Sequence, residues 1–449
     1  MHLKINILKK HPKKITYYII YSLSCLFIHT VNAQDSIKTK ISIETLFDLL
    51  EKNNPTLNVS KTDLLIYEQK TKIAKNQLLP VITTGASAYY IGTPVVITKD
   101  FSHSQTRNYP HFGNKLSLDA SQTLWNAGAV KNNIKESELE NEVAQINYRD
   151  HKQQIKALTL GYYFNLFQLQ KQFKVFTKNI ELAEKRLKNI KKLYGEGMVT
   201  RNDVIRGELQ VSNLNLSLQV LTNDATIRNK QLNAALGLPS DNIIEIDENI
   251  LNKPYQLDDL DYYELALKNH PEIEASQKNI EISQLKHKII NSERIPTLSL
   301  FAGNSLQRPI ITTMPVLDQY LNTWNIGVTL KFSLDNLYKT PKKLKLNNLE
   351  LYKNKRILTE IQTNQKVNLE SSYIKYNQAY TQNETFKKNR DLAKDNYRIM
   401  ESKYNNQLAI LIDLIDASNA LLEAELQESI SEINIMQSYY NVIKNSGLL

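Results

Sequence analysis

Between residues 126 and 194, apolar side chains recur in alternating steps of three and four. Leu166, Leu169, Phe173, Phe176, Ile180, Ala183, Leu187, Ile190 and Tyr194 form one stripe, the seam of a coiled coil. No proline interrupts the stretch and its only glycines are Gly128 and Gly161. A single helix of about 100 Å is predicted, at 1.5 Å per residue. Val204, Val211, Leu218, Ala225 and Leu232 then keep a seven-residue beat, which predicts a returning helix over 201–237. The pattern recurs more weakly in Ala393, Tyr397, Met400 and Tyr404, giving a second long helix over 336–404 and a return over 410–444. Tyrosines and charges scattered along these helices exclude a membrane span. They are rods in water.

Elsewhere the period falls to two. Leu116, Leu118, Ala120 and Leu124 alternate with Ser117, Asp119, Ser121 and Thr123; Ile326, Val328, Leu330, Phe332 and Leu334 alternate with Asn325, Gly327, Thr329, Lys331 and Ser333. Each run predicts one arm of a strand hairpin, over 81–124 and 297–334, with partners near 81–91 and 297–306. Strands of about ten residues are long enough to cross a bilayer when tilted.

The chain is written twice. KNNPTLNVSK (52–61) answers to KNHPEIEASQ (268–277), and Pro55 and Pro80 shift by 216 residues to Pro271 and Pro296. Leu124, Tyr194 and Asp203 shift by 210, to Leu334, Tyr404 and Asp413. The offset changes once, inside the longer loop around TPVVITKDFSHSQTRNYPHFGN, as a duplication requires. The expected division is a first repeat over 34–248, with helices 41–79, and a second over 249–449, with helices 259–294. The fold class is mainly α with a small β part.

Charge enters with the N-terminus. The formal net charge of +10 invites a nucleic-acid partner. Yet Lys4, Lys9, Lys10, Lys13 and Lys14 precede an apolar run, ITYYIIYSLSCLFIHTV, and a small residue at Ala33. That arrangement is a secretory signal peptide over 1–33. Its removal leaves about +5, and no nucleic-acid partner is expected. Cys25, the only cysteine, lies within it; Ser22 and the apolar residues beyond argue against a lipid anchor there. The mature chain then has no disulfide and no thiolate metal site. It has no Gly-rich phosphate loop and no HExxH, and its histidines (103, 111, 151, 270 and 287) are scattered. His103 and His111 share one loop. No cofactor, bound metal or enzymatic activity is expected, and energy for any transport must come from partners.

Four membrane-length strands cannot close a barrel, and an open edge cannot sit in lipid. Other copies must complete the sheet. Three would supply twelve strands, although two or four would also close. The rival reading is a non-transporting exported coiled-coil scaffold or adhesin, for which two membrane-length hairpins have no use.

With these features in order, the chain resembles the TolC-like outer-membrane efflux protein family. The resemblance rests on the junctions Asn54-Pro55 and His270-Pro271, on Pro80 and Pro296 before the strands, on the turn YGEGMVTRNDV (194–204), and on LIDLIDASNAL (411–421). It runs from about 41 to 443. It implies a homotrimer whose strands form a 12-stranded transmembrane β-barrel in the outer membrane and whose helices form a trimeric α-barrel extending into the periplasm. Such a channel is a passive exit duct of a tripartite efflux or type I secretion system. Its partners are a periplasmic adaptor (membrane fusion) protein and an inner-membrane RND or ABC-type pump.

The resemblance also carries residue roles. Asp413 and Asp416, three apart and so on one helix face, match the acidic pair lining the pore constriction near the periplasmic tip. Two acids on a helix face are more often merely solvated. Clustered in a narrow passage they would favour cations. Tyr404 and Asp203 match a gate latch made by a hydroxyl–carboxylate hydrogen bond, although Tyr404 also ends a coiled-coil seam. Ala409 stands where family members carry an arginine for a second latch. Gly197, Met198, Val199 and Thr200 match the tip turn that meets the adaptor. The second turn, with Gln407 in place of the glycine, is expected to differ.

Overall fold

The structure is a computed structural model that describes residues 38–258 and 261–449. The expected signal peptide, with Cys25, lies outside the described residues. In chain order the elements are β1 (Lys38–Ile41), α1 (Ile43–Asn53), α2 (Pro55–Lys75), β2 (Val81–Tyr90), β3 (Val95–Ile97), β4 (Ser104–Thr106), β5 (Phe112–Trp125) and a rod, α3 (Ala129–Gly195). Then follow α4 (Arg201–Leu236), β6 (Ile243–Ile246), α5 (Tyr262–Asn269), α6 (Pro271–Ser292), β7 (Thr297–Arg308), β8 (Leu321–Lys331), a second rod, α7 (Asn336–Asn405), and α8 (Leu411–Asn445). The molecule is mainly helical, with two long hairpins of helices and a small sheet. No helix among the described residues is long and apolar enough to cross a membrane.

The first rod starts a little later than the heptad pattern alone suggests. Ala127 and Gly128 take positive φ values of 53° and 80°, a conformation that turns the chain out of β5 before a helix can begin. The rod then runs 67 residues, about 100 Å. Its upper half packs against α2 and α6, and its lower half against α4 and α8. Ile180 and Ala183 meet Leu214, and Ile190 meets Val204, Leu411 and Ile415. Phe173 stays half exposed although it falls in the heptad stripe. At its level α3 faces a groove beside β6 rather than a helix.

The long strands pair in the order β2-β5-β7-β8, each neighbour antiparallel. The β5–β7 pairing joins the two repeats into one sheet, with β2 and β8 as its free edges. One face carries Leu116, Leu118 and Leu124 with Leu300, Trp324, Ile326, Val328 and Leu330. The other carries Ser117, Asp119, Ser121 and Thr123 with Asn325, Gly327 and Thr329. The apolar face is bare: Trp324 is 76% and Leu330 67% exposed. Strands of 10 to 14 residues with one apolar and one polar face have the build of a membrane barrel wall. The longer loop between β2 and β5 folds back as a small β3–β4 hairpin, which the alternation does not reveal.

The largest core sits halfway down the rods. Strands β1 and β6 pair in parallel there, Ile41 opposite Ile246. They pack with Leu46, Leu50, Tyr163, Phe164, Phe167, Leu232, Leu236 and Ile433. Tyr163 donates its hydroxyl to the Ile41 carbonyl at 3.0 Å, so the one polar atom of that ring is satisfied. This belt draws on the beginning, middle and end of the described chain, and it fixes the two hairpins side by side.

Candidate functional site

The turns at the far end of the rods are built alike. In the first, the Glu196, Gly197 and Met198 N–H groups donate to the Lys192, Tyr194 and Leu193 carbonyls at 3.1, 3.1 and 2.9 Å. In the second, Asn406, Gln407 and Leu408 donate to Ser402, Tyr404 and Lys403 at 3.1, 3.0 and 2.8 Å. Each is a helix C-terminus closed by one left-handed residue. Gly197 adopts it at φ 72°, and Gln407 adopts it at φ 61° despite its side chain. The missing glycine therefore does not change the backbone. It leaves a strained glutamine, at a cost of about 1 kcal/mol.

The helices that follow start differently. Thr200 caps α4: its hydroxyl accepts from the Asp203 N–H at 3.3 Å, and the Asp203 carboxylate accepts from the Thr200 N–H at 2.9 Å and its hydroxyl at 2.7 Å. This reciprocal arrangement is a capping box. The cap of α8 is Ile410, whose side chain can accept nothing. Asp413, three residues on, holds the position of Asp203 but has no cap to engage. Its side chain and that of Asp416 are exposed, while Leu411, Leu414 and Ile415 on the other side of α8 are buried. Both acids lie in the first turns of the helix, where the N-terminal end of the backbone dipole favours a negative charge.

Three carboxylates further along α8 are ion-paired, whereas Glu423 is exposed and accepts only from Gln427. Glu425 pairs with Lys178 at 2.9 Å, Glu428 with Arg390 at 3.0 Å and Glu432 with Lys387 at 3.2 Å. Among the described residues no such cation neutralises Asp413 or Asp416. The structure thus brings the pair together on one open face of the tip.

The expected latch is not made. Tyr404 packs against Ile190, Val204, Leu411 and Ile415, and its hydroxyl is buried without a hydrogen-bond partner. Burial raises its pKa, the Asp203 charge adds to that rise, and the Arg186 charge opposes it. Asp203 is near enough to be felt, but its carboxylate is committed to Thr200. In the turn between them, Gly197, Met198 and Thr200 are exposed and Val199 leans on the apolar cluster below Tyr404.

A residue that the sequence pattern does not single out stands just above this cluster. Arg186 of α3 donates to Gln210 Oε1 on α4 at 3.2 Å, to the Tyr397 hydroxyl on α7 at 3.1 Å, and to Ser418 Oγ on α8 at 3.3 Å. In the run KRLK (185–188) it reads as a solvated charge. Its spacing, three after Ala183 and four before Ile190, places it on the seam and was the available signal.

Among the described residues no cluster of His, Cys, Asp and Glu could hold a metal ion. His111 stacks on Tyr90 and shares its Nδ1 with the Ile91 carbonyl at 2.9 Å, a structural use; His103 bonds Ser102.

The sequence profile described as "Outer membrane efflux protein" matches residues 46–238 and 262–447. The chain is 23% identical over 279 residues to the outer membrane efflux protein BepC of Brucella suis biovar 1 (strain 1330); the match spans 62% of this chain and 57% of that protein's length. Its fold is similar to that of the outer membrane protein VceC of Vibrio cholerae (TM-score 0.75, 14% identity, 90% of this chain and 96% of that one). It is also similar to the CmeC outer membrane channel of Campylobacter jejuni (TM-score 0.74, 16% identity, 90% and 85%).

Proposed function

Because the chain belongs to the outer membrane efflux protein family, a family of channels rather than enzymes, we propose that it is the homotrimeric exit duct of a tripartite efflux or type I secretion system. Its place is the outer membrane, with the rods extending into the periplasm. The observation that carries the assembly is the open sheet: both edge strands, β2 and β8, lack a partner on one side. In lipid every unpaired backbone group costs several kcal/mol, so other copies must complete the ladder, and three close it at twelve strands. Two unpartnered stripes support the same closure. On α4, Ile205, Leu209, Leu216, Val220 and Ile227 are exposed at steps of four and seven; on α2, Val59, Ile66 and Ile73 are exposed at steps of seven. Stripes of this kind are coiled-coil seams awaiting a helix.

In such a trimer Asp413 and Asp416 form two rings of three carboxylates, the pore constriction, favouring cations over anions. Tyr404 and Asp203 form the gate latch in a state where the capping box has let the carboxylate go. Gly197, Met198, Val199 and Thr200 offer the small, partly apolar tip to a periplasmic adaptor, and an inner-membrane RND or ABC-type pump supplies the energy. The partner surface includes the second turn too, where Leu408 and Ile410 are bare.

The test is planar-bilayer conductance of the purified mature protein beside Asp413→Asn/Asp416→Asn, with and without millimolar divalent cation. Discrete cation-selective steps that the double variant makes less selective and less easily blocked are expected. Steps indifferent to the variant would move the constriction elsewhere. A protein that neither conducts nor forms trimers in detergent would return the scaffold reading.

A further inference from the structure

We propose that glycines of the long strands set the bore of the barrel, by giving Phe301 and Tyr89 room to lie flat against its wall. The inference rests on the duct reading, since a bore needs a closed barrel.

The four long strands contain Gly85, Gly113, Gly303 and Gly327. The pairing register puts all four on the polar face of the sheet, opposite Ser117, Tyr89, Asp119 and Phe301 in turn. With the apolar face against lipid, this face lines the lumen. Among the described residues of these strands, Tyr89 and Phe301 are the only aromatic side chains on it, and each stands directly opposite a glycine.

The space that the glycines leave is filled by those neighbours. A Cβ on Gly327 would lie 2.9 Å from Phe301 Cζ and 3.0 Å from its Cε1, and a Cβ on Gly113 would overlap the Tyr89 ring. Carbon atoms rest about 3.5–4.0 Å apart, so each ring already occupies the volume a side chain would claim. Both rings therefore reach sideways over the adjacent strand and do not stand up into the passage. Phe301 remains 36% and Tyr89 40% exposed, each with one side of its ring open. Asp119 behaves alike, since its Oδ1 would be 2.8 Å from a Cβ on Gly303.

The arrangement matters because of the size of the barrel. Side chains fill a barrel of about eight strands, whereas one of about sixteen is an open channel. Twelve strands lie between these cases, where three upright rings at one level would narrow the passage. Glycine weakens a strand interior, so placing all four on one face calls for a reason on that face. The rival is that each ring merely shelters a glycine and so stabilises the sheet.

The test uses the full chain in intact cells, with Thr123→Cys as the reporter in a mature chain otherwise free of cysteine. Thr123 shares the luminal face and lies two residues nearer the rods than Ser121, the partner of Phe301. Maleimides carrying polyethylene glycol of graded mass reach it through the outer mouth. Gly327→Val, a residue that strands favour, forces Phe301 upright. It is expected to slow the largest reagents that enter the wild type by about tenfold and to leave the smallest unchanged. Gly113→Val should do the same through Tyr89. Adding Phe301→Ala to the first variant, or Tyr89→Ala to the second, should restore the original rates. Wild-type rates in both valine variants would overturn the assignment. So would slowing that is equal for all sizes, or that removing the ring does not relieve, since either marks glycines needed only for packing. The variant Phe301→Ala/Tyr89→Ala tests the same point without touching a glycine. It should exclude the same sizes as wild type, and admission of markedly larger reagents would mean that the rings already stand in the passage. If even the smallest reagent fails to reach Thr123→Cys in the otherwise unchanged chain, the duct reading fails and this inference falls with it.

Discussion

The turns at 194–200 and 404–410 make the same three backbone hydrogen bonds, yet they treat an equivalent carboxylate in opposite ways. In the first, Thr200 engages Asp203 and closes a capping box. In the second, Ile410 offers no acceptor, and Asp413 is left facing open space. Backbone geometry persists between repeats because it depends on the hydrogen-bond pattern of a helix end, which many sequences satisfy. The chemistry diverges through one residue, the cap. A stabilising acid in one hairpin is an unengaged acid in the other, and only an unengaged one can act on a passing ion.

That contrast can be broken directly. Ile410→Thr gives the second turn the cap of the first, so Asp413 should fold back onto it. The expected result is a gain of about 1 kcal/mol in stability, read as a denaturation midpoint. In bilayers, cation selectivity should fall by roughly half although no charge has been removed. Unchanged selectivity with a real gain in stability would mean that Asp413 takes no part in the constriction.

The converse substitution loosens the first turn. Thr200→Ala removes the cap and should cost about 1–2 kcal/mol. It also frees the Asp203 carboxylate to accept from the buried Tyr404 hydroxyl, the latch that the present arrangement leaves unmade. Adding Tyr404→Phe to Thr200→Ala should therefore abolish any slowing of channel opening. A Thr200→Ala channel that opens as readily as wild type removes the latch from the account.

Much of this architecture was legible in the sequence. Pro55 and Pro271, and Pro80 and Pro296, announce the repeat because proline is tolerated at few places in helices and strands. The rods and strands follow from periodicity, since each buries or exposes one face along its whole length. The belt was not legible: Lys38–Ile41 and Ile243–Ile246 are short segments made strands by each other, at a sequence separation no local pattern encodes. Resemblance points Asp203 to the latch, although the pattern Thr200-x-x-Asp203 is itself a capping signature. Arg186 was hidden by the lysines around it.

The helix junctions offer a comparison of the same kind. Asn54 caps α2, accepting from the Leu57 N–H at 3.0 Å; His270 stands in its place before α6 with no side-chain cap, and its Nδ1 is unpartnered. Burial lowers the pKa of His270 below its ordinary value of 6.5, and Glu272 and Asp150 only partly offset this. The unfolded chain therefore binds the proton more readily than the folded one. Stability should fall as pH drops below about 6.5 and level off once the depressed folded value is passed. His270→Asn should remove that slope from thermal unfolding curves and add up to about 1 kcal/mol at neutral pH by restoring a cap. A slope that survives the substitution belongs to another group.

The smallest effect returns to the turns themselves. Gly197 and Gln407 share one left-handed conformation, so substitutions there should have opposite signs. Gly197→Ala must bring a Cβ into φ 72° and should cost about 1 kcal/mol. Gln407→Gly relieves the same strain but frees the unfolded chain, so the two terms partly cancel and the net gain should be about 0.5 kcal/mol. Chemical denaturation of the two variants measures both. Equal and opposite shifts would mean that strain alone governs the turn, whereas a Gln407→Gly variant no more stable than wild type would mean that chain entropy offsets it fully. A glutamine retained at that cost is better explained by what the second tip must touch than by how it must fold.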